Sequence, residues 1–165
     1  MSSKEERHMA KAEHSVDAHA PIRQVYDQWT QFEQFPHFME GVEQVTQLDD
    51  KHLHWKARIG GKVQEWDAEI TEQLPDQRIA WHSLSGDRNA GAVTFHRIDD
   101  EVTRIMLQIE YEPQGAVEKT GAALGFLDRQ VKGDLERFKE QIERTKQSSG
   151  GWRGTIEDHP EMGQP

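Results

Sequence analysis

Hydrophobic and polar positions change period three times along the chain. Between Glu13 and His19, polar Glu13, Ser15 and Asp17 alternate with Val16 and Ala18, the period of two expected of a half-buried strand. Pro21 then suits the first turn of a helix, and Ile22, Val25, Tyr26, Trp29 and Phe32 follow at helical spacing, predicting a helix that ends near Thr30. Phe35, Pro36, Phe38 and Met39 predict a further short helical turn, closed by Gly41. From Val42 to Tyr111 the period is two again, with turn signals at Asp49-Asp50, Gly60-Gly61, Pro75-Asp76, Gly86-Asp87 and Asp99-Asp100. The expected structure there is a meander of six strands.

A two-residue turn at Gly60-Gly61 fixes the register of the strands on either side. It sets Trp55 opposite Trp66 and Leu53 opposite Ala68 on one face, and Lys56 opposite Glu65, His54 opposite Asp67 and His52 opposite Glu69 on the other. Opposite charges directly across strands contribute roughly 0.2–1 kcal/mol each, so a single register satisfies both patterns. In the last hairpin, Val93 and Phe95 share a face with Leu107 and Ile105 only if the loop is odd or a bulge intervenes. The inward set is then Val93, Phe95, Ile105, Leu107, Ile109 and Tyr111, joined by Ile79 and Trp81. From about Gly115 to Lys146 the period is helical once more, with Leu124, Leu127, Val131, Leu135, Phe138 and Ile142 on one face and Asp128, Lys132, Glu140 and Arg144 on the other. This order predicts an α+β fold in which a curved antiparallel sheet of about seven strands wraps a long C-terminal helix, a helix-grip.

Composition narrows the function more than the fold. The 165 residues suit one domain, and the absence of cysteine excludes disulfides, thiolate metal sites and thiol nucleophiles. A net charge of -10 opposes binding to nucleic acids and to anionic lipid surfaces. No run of 18 apolar residues or signal-like apolar start is present, so the expectation is a cytoplasmic, unanchored protein, monomeric or weakly dimeric. Residues 1–10 and 147–165 read as mobile segments around a domain at 11–146, with Trp152 in the tail either docked or exposed.

Val25-Tyr26-Asp27-Gln28-Trp29 followed by Phe32-Glu33-Gln34-Phe35-Pro36-His37-Phe38-Met39 resembles the opening of the polyketide cyclase/dehydrase group of the START-like (SRPBCC) superfamily. The likeness continues through Glu65-Trp66-Asp67-Ala68-Glu69-Ile70, Arg78-Ile79-Ala80-Trp81-His82-Ser83, Gly91-Ala92-Val93-Thr94-Phe95, Glu110-Tyr111-Glu112-Pro113 and Asp134-Leu135-Glu136-Arg137-Phe138-Lys139, covering about residues 11–146. The chain also resembles the coenzyme Q-binding START domains. The resemblance implies a cavity between sheet and long helix that takes a hydrophobic small molecule such as a lipid, polyketide, sterol or quinone, without a cofactor.

The expected ligand-binding residues are Trp55, Trp66, Trp81, Phe95, Leu107, Tyr111, Leu124 and Leu127. The aromatic residues among them either line a pocket or fill the space between sheet and helix. No catalytic constellation is visible. For a cyclase or dehydratase, the candidates for proton transfer are Tyr111 and Ser83, whose strand phase points inward, and His37, beside the expected pocket mouth. His52 and His54 share a face and stand opposite acidic residues; the expected role is a solvated charge ladder and not a metal site. A third reading is a filled interior with a partner-binding outer surface that includes Trp152.

Overall fold

In the computed structural model, which describes residues 10–59, 61–112 and 120–157 (backbone alone at Ile59 and at 120–124), β1 (Ala10–Ala18) leads into α1 (Ile22–Trp29) and a 3-10 helix (Phe32–His37). Six strands follow: β2 (Val42–Gln47), β3 (His52–Ile59), β4 (Lys62–Leu74), β5 (Arg78–Ser83), β6 (Arg88–Asp99) and β7 (Val102–Glu112). The last element is α2 (Thr120–Thr145). All seven strands form one antiparallel sheet in the order β1-β7-β6-β5-β4-β3-β2, so only the β1–β7 pairing joins distant parts of the chain. The expected α+β helix-grip is the observed fold. Of the segment expected to be mobile at the N-terminus, only Ala10 is among the described residues, and it belongs to β1.

The β3–β4 register is the one the sequence predicts, with Trp55 opposite Trp66, His54 opposite Asp67 and His52 opposite Glu69. The β6–β7 pair sets Val93 against Leu107 and Phe95 against Ile105, and the register shifts between Arg97 and Asp99 to allow it. A second shift, between Ile70 and Glu72 of β4, has a consequence the sequence does not announce. The extra residue turns Gln73 to the inner face opposite Ile79, and its side chain is fully buried.

α2 presents Val131, Leu135, Phe138 and Ile142 to the sheet, all buried. Trp29 on α1 sits at the centre of the aromatic cluster, with ring centroids 4.8 Å from Phe138, 5.7 Å from Phe35 and Phe38, and 6.3 Å from Phe95. Polar contacts hold α2 at both margins of the sheet. On the β1 side, His14 Nε2 lies 2.9 Å from Asp128 Oδ1, and the His19 backbone N–H donates to Glu143 Oε2 at 2.8 Å. Asp128, expected to face solvent beside Lys132, is exposed and at the same time reaches His14 of β1. On the β2 side, the Glu40 N–H donates to Asp134 Oδ1 at 3.0 Å and Arg137 Nε donates to the Phe38 carbonyl at 2.8 Å.

The expectation of a mobile tail after residue 146 does not describe residues 147–157, which lie along α1 and the end of β4. Ser149 N–H donates to Gln28 Oε1 at 2.7 Å, Trp152 N–H donates to Thr30 Oγ1 at 3.1 Å, and Ile156 exchanges both backbone hydrogen bonds with Gln73. Trp152 is half-buried against the core and Ile156 is buried. Gly151 permits the approach, because a Cβ there would stand 2.8 Å from Asp27 Cγ. Arg153 bridges Asp27 and Asp76, at 2.8 Å from Asp76 Oδ1, while its guanidinium lies 5.3 Å from the centre of the Tyr26 ring. Arg153→Met is therefore expected to lower stability by about 1–2 kcal/mol, read as a lower urea midpoint at unchanged slope, because two part-buried carboxylates lose their cation. An unchanged midpoint would mean that the strap is held by its backbone contacts alone.

Candidate functional site

The inner face of the sheet is filled at one end and less closed at the other. Around Trp29 the apolar side chains Val25 and Tyr26 of α1, Phe32 and Phe35 of the 3-10 helix, and Leu135, Phe138 and Ile142 of α2 are all buried. Towards the start of α2, by contrast, Trp66, Ile109, Tyr111 and Leu127 are only half-buried although they lie on the same inner side. Aromatic rings lead from one region to the other. Phe35 lies 5.7 Å from Trp55, and Trp55 stacks on Trp66 at 6.0 Å with an interplanar angle of 2°.

Trp81 reaches this region from β5. Its indole lies against Gly91 of β6, where a Cβ would come within 2.4 Å of the ring, so only glycine at 91 leaves room for it. Trp55 and Trp81 are 6% and 8% exposed. The two expected hydroxyls both engage the segment that opens β6. Tyr111 donates to Asp87 Oδ2 at 2.8 Å, and Ser83 Oγ accepts the backbone N–H of Asn89, the residue paired with Tyr111 across β6 and β7. Burial and the neighbouring Asp87 carboxylate raise the Tyr111 pKa, which makes its phenol a held donor and a poor source of protons at neutral pH.

Other expected positions lie elsewhere. Phe95 meets Tyr26 edge-on at 5.3 Å in the closed cluster, and Leu107, 2% exposed, is core as well. Both are inward, as their phase predicts, and both are buried core residues. His37 ends the 3-10 helix and is exposed. The Leu124 side chain lies outside the described residues.

One inward polar residue passed unnoticed in the sequence. His14 falls on the phase of Ala12, Val16 and Ala18, opposite Leu107, and it pairs with Asp128 beside Leu127. A histidine on the apolar phase of a strand was the available signal. On the outer face, His54 places Nδ1 2.7 Å from Asp67 and Nε2 2.8 Å from Glu65, and these two carboxylates raise its pKa. Among the described residues no group of three or more His, Asp or Glu side chains is arranged to hold a metal ion.

Residues 18–140 match the family described as polyketide cyclase / dehydrase and lipid transport. The chain belongs to this family. It is 51% identical over 149 residues to an uncharacterized 17.2 kDa protein of Streptomyces lincolnensis, spanning 90% of this chain and 99% of that one. Among solved structures it is similar to the Zhui aromatase/cyclase from Streptomyces sp. R1128, with a TM-score of 0.73 at 19% identity over 88% of this chain and 100% of that one. It is also similar to a START superfamily protein from Mycobacterium smegmatis, with a TM-score of 0.65 at 15% identity over 80% and 98% of the two chains. These likenesses establish the START-like fold of the family. No described helix is long and apolar enough to cross a membrane.

Proposed function

We propose that the protein is a cytoplasmic binding module, monomeric or weakly dimeric, that holds one apolar small molecule between the sheet and α2. The observation that carries this reading is the contrast along the inner face: aromatic side chains fill one end, while Trp66, Ile109 and Leu127 remain half-buried at the other. Apolar side chains facing one another with a few polar groups at the rim are what a small-molecule site requires. The family description, which includes lipid transport, supports the same class, and the aromatase/cyclase named above extends it to polyketide-like compounds. Within that class the candidates are a lipid, a quinone or a polyketide. Trp55, Trp66, Trp81, Tyr111 and Leu127 are the proposed contacts, with Leu124 beside them and Phe95 and Leu107 behind.

Catalysis is the second reading, that of a cyclase or dehydratase. The two hydroxyls of Tyr111 and Ser83, bonded to Asp87 and to Asn89 of one segment, favour it. Against it stand the phenol held by Asp87 and the exposure of His37 at the end of the 3-10 helix, so binding is the better supported function.

The test is titration with N-phenyl-1-naphthylamine, a neutral apolar fluorophore, together with mass spectrometry of a solvent extract of the purified protein. Wild type is expected to bind the fluorophore and to yield an apolar compound. Ile109→Trp, which extends a large side chain into the half-buried region, is expected to weaken fluorophore binding at least about tenfold while its far-ultraviolet circular dichroism stays unchanged. Equal binding by a folded Ile109→Trp variant would sink the proposed site.

A further inference from the structure

We infer that Asp87, beside the rings of Trp66 and Tyr111, is a cation subsite at the rim of the site, and that the bound molecule therefore joins an apolar body to a protonated amine. This rests on the binding function proposed above and specifies the polar end of its ligand. The loop between β5 and β6 brings the three side chains together. Gly86, with φ of +71°, lies so close to β4 that a Cβ there would stand 3.1 Å from Trp66 Cβ, and Asp87 follows it directly. From β7, Tyr111 donates to Asp87 Oδ2 at 2.8 Å, with Gln64 of β4 beside the same hydroxyl. Trp66, Asp87 and Tyr111 are all half-buried, so each keeps surface open to solvent.

Asp87 differs from every other carboxylate withdrawn from water. Among the described residues, each remaining buried or half-buried Asp or Glu has a Lys, Arg or His partner at 4.0 Å or less. That is the usual condition for burying a charge. Asp87 has no such partner: the cation next to it in sequence, Arg88, pairs with Glu112 at 3.4 Å, and Asp87 Oδ1 accepts no hydrogen bond from a described residue. A protonated amine supplies what is missing, because it donates to the carboxylate and is attracted to aromatic rings within about 6 Å. The net charge of -10 acts in the same direction, drawing cations to the protein and opposing a ligand that ends in a carboxylate.

The experiment compares ligands of one body and different charge, by displacement of N-phenyl-1-naphthylamine. 1-Naphthylmethylamine, 1-naphthylmethanol and 1-naphthoate form one series, and dodecylamine with 1-dodecanol forms a second. Wild type is expected to bind the amine of a series about three- to tenfold more tightly than its alcohol, between the values of an exposed ion pair and of a charged hydrogen bond, and naphthoate most weakly. Asp87→Asn keeps an acceptor for Tyr111 and removes the charge. It is expected to bring the amine-to-alcohol ratio close to one and to leave alcohol affinity unchanged. Asp100→Asn removes the same charge at the opposite end of the β6–β7 pair, and an unchanged ratio there separates the subsite from general attraction to an acidic protein. A preference confined to the naphthyl series supports a planar body, and one confined to the dodecyl series supports a chain. Alcohol binding with no amine preference in wild type, or with a preference that survives Asp87→Asn, overturns the cation subsite alone. Failure of every compound to displace the fluorophore from wild type overturns the binding function itself, and this inference with it.

Discussion

Trp29→Ala is expected to lower the stability of the protein by about 3–5 kcal/mol, the largest effect of any single truncation in the chain. Trp29 is fully buried and meets four other aromatic rings, drawn from the 3-10 helix and the residue that follows it, β6 and α2. Removing the indole leaves a void that rigid rings and a sheet cannot collapse into, and it also forfeits edge-to-face contacts worth roughly 0.5–1.5 kcal/mol per pair. Trp29→Phe should lose much less, since a ring remains and an unpartnered indole N–H is removed. Urea unfolding of the three proteins provides the comparison. At denaturant concentrations where Trp29→Ala stays folded, its affinity for N-phenyl-1-naphthylamine should match wild type, because Trp29 lies at the closed end and the proposed ligand at the other. A loss below about 1 kcal/mol for Trp29→Ala would show that α1 and α2 are held by other contacts.

The elements that could be read from sequence are those where two independent patterns agree. At Gly60-Gly61 the tryptophans demand one register and the charges demand the same one, so local sequence alone specifies Trp55 opposite Trp66. The bulge near Asp99 was legible for a similar reason, since only an extra residue reconciles Phe95 with Ile105. The inward turn of Gln73 has no such signature, because nothing local distinguishes a bulge at Thr71 from continued alternation. Residues 147–157 read as mobile because they are rich in glycine and serine. What orders them is distributed over α1, β4 and the residues just after each: Asp27, Gln28, Thr30, Gln73 and Asp76. For the site, strand phase identified the inner face but not the point along each strand where the interior closes. Phe95 and Trp66 are equally inward by phase, yet one is core and the other is half-buried.

Asp134→Asn is expected to change the pH dependence of stability, gaining about 3 kcal/mol relative to wild type between pH 4 and pH 7.5. Asp134 lies on the sheet-facing side of α2, buried where the helix meets the Glu40 turn, and this burial raises its pKa from 3.8 to about 6. Arg137, hydrogen-bonded to the same carboxylate, acts in the opposite direction, as do the Glu40 N–H and Gln130, but together they do not offset the loss of solvent. The nearby Glu40 carboxylate is exposed, 3.9 Å from Arg137. Because the folded pKa is above that of the unfolded chain, the folded state binds the Asp134 proton more tightly. Its contribution is therefore fully present below about pH 4 and is lost as pH rises through about 6. Asparagine keeps an oxygen to accept the Glu40 N–H and has no proton to lose, so the two stability curves should separate over that interval in favour of the variant. Any constant offset from the altered contact with Arg137 leaves the slope untouched. Parallel curves would mean that Arg137 keeps Asp134 ionised throughout, and that α2 is fastened to the β2 margin by an ion pair stronger than the cost of burying it.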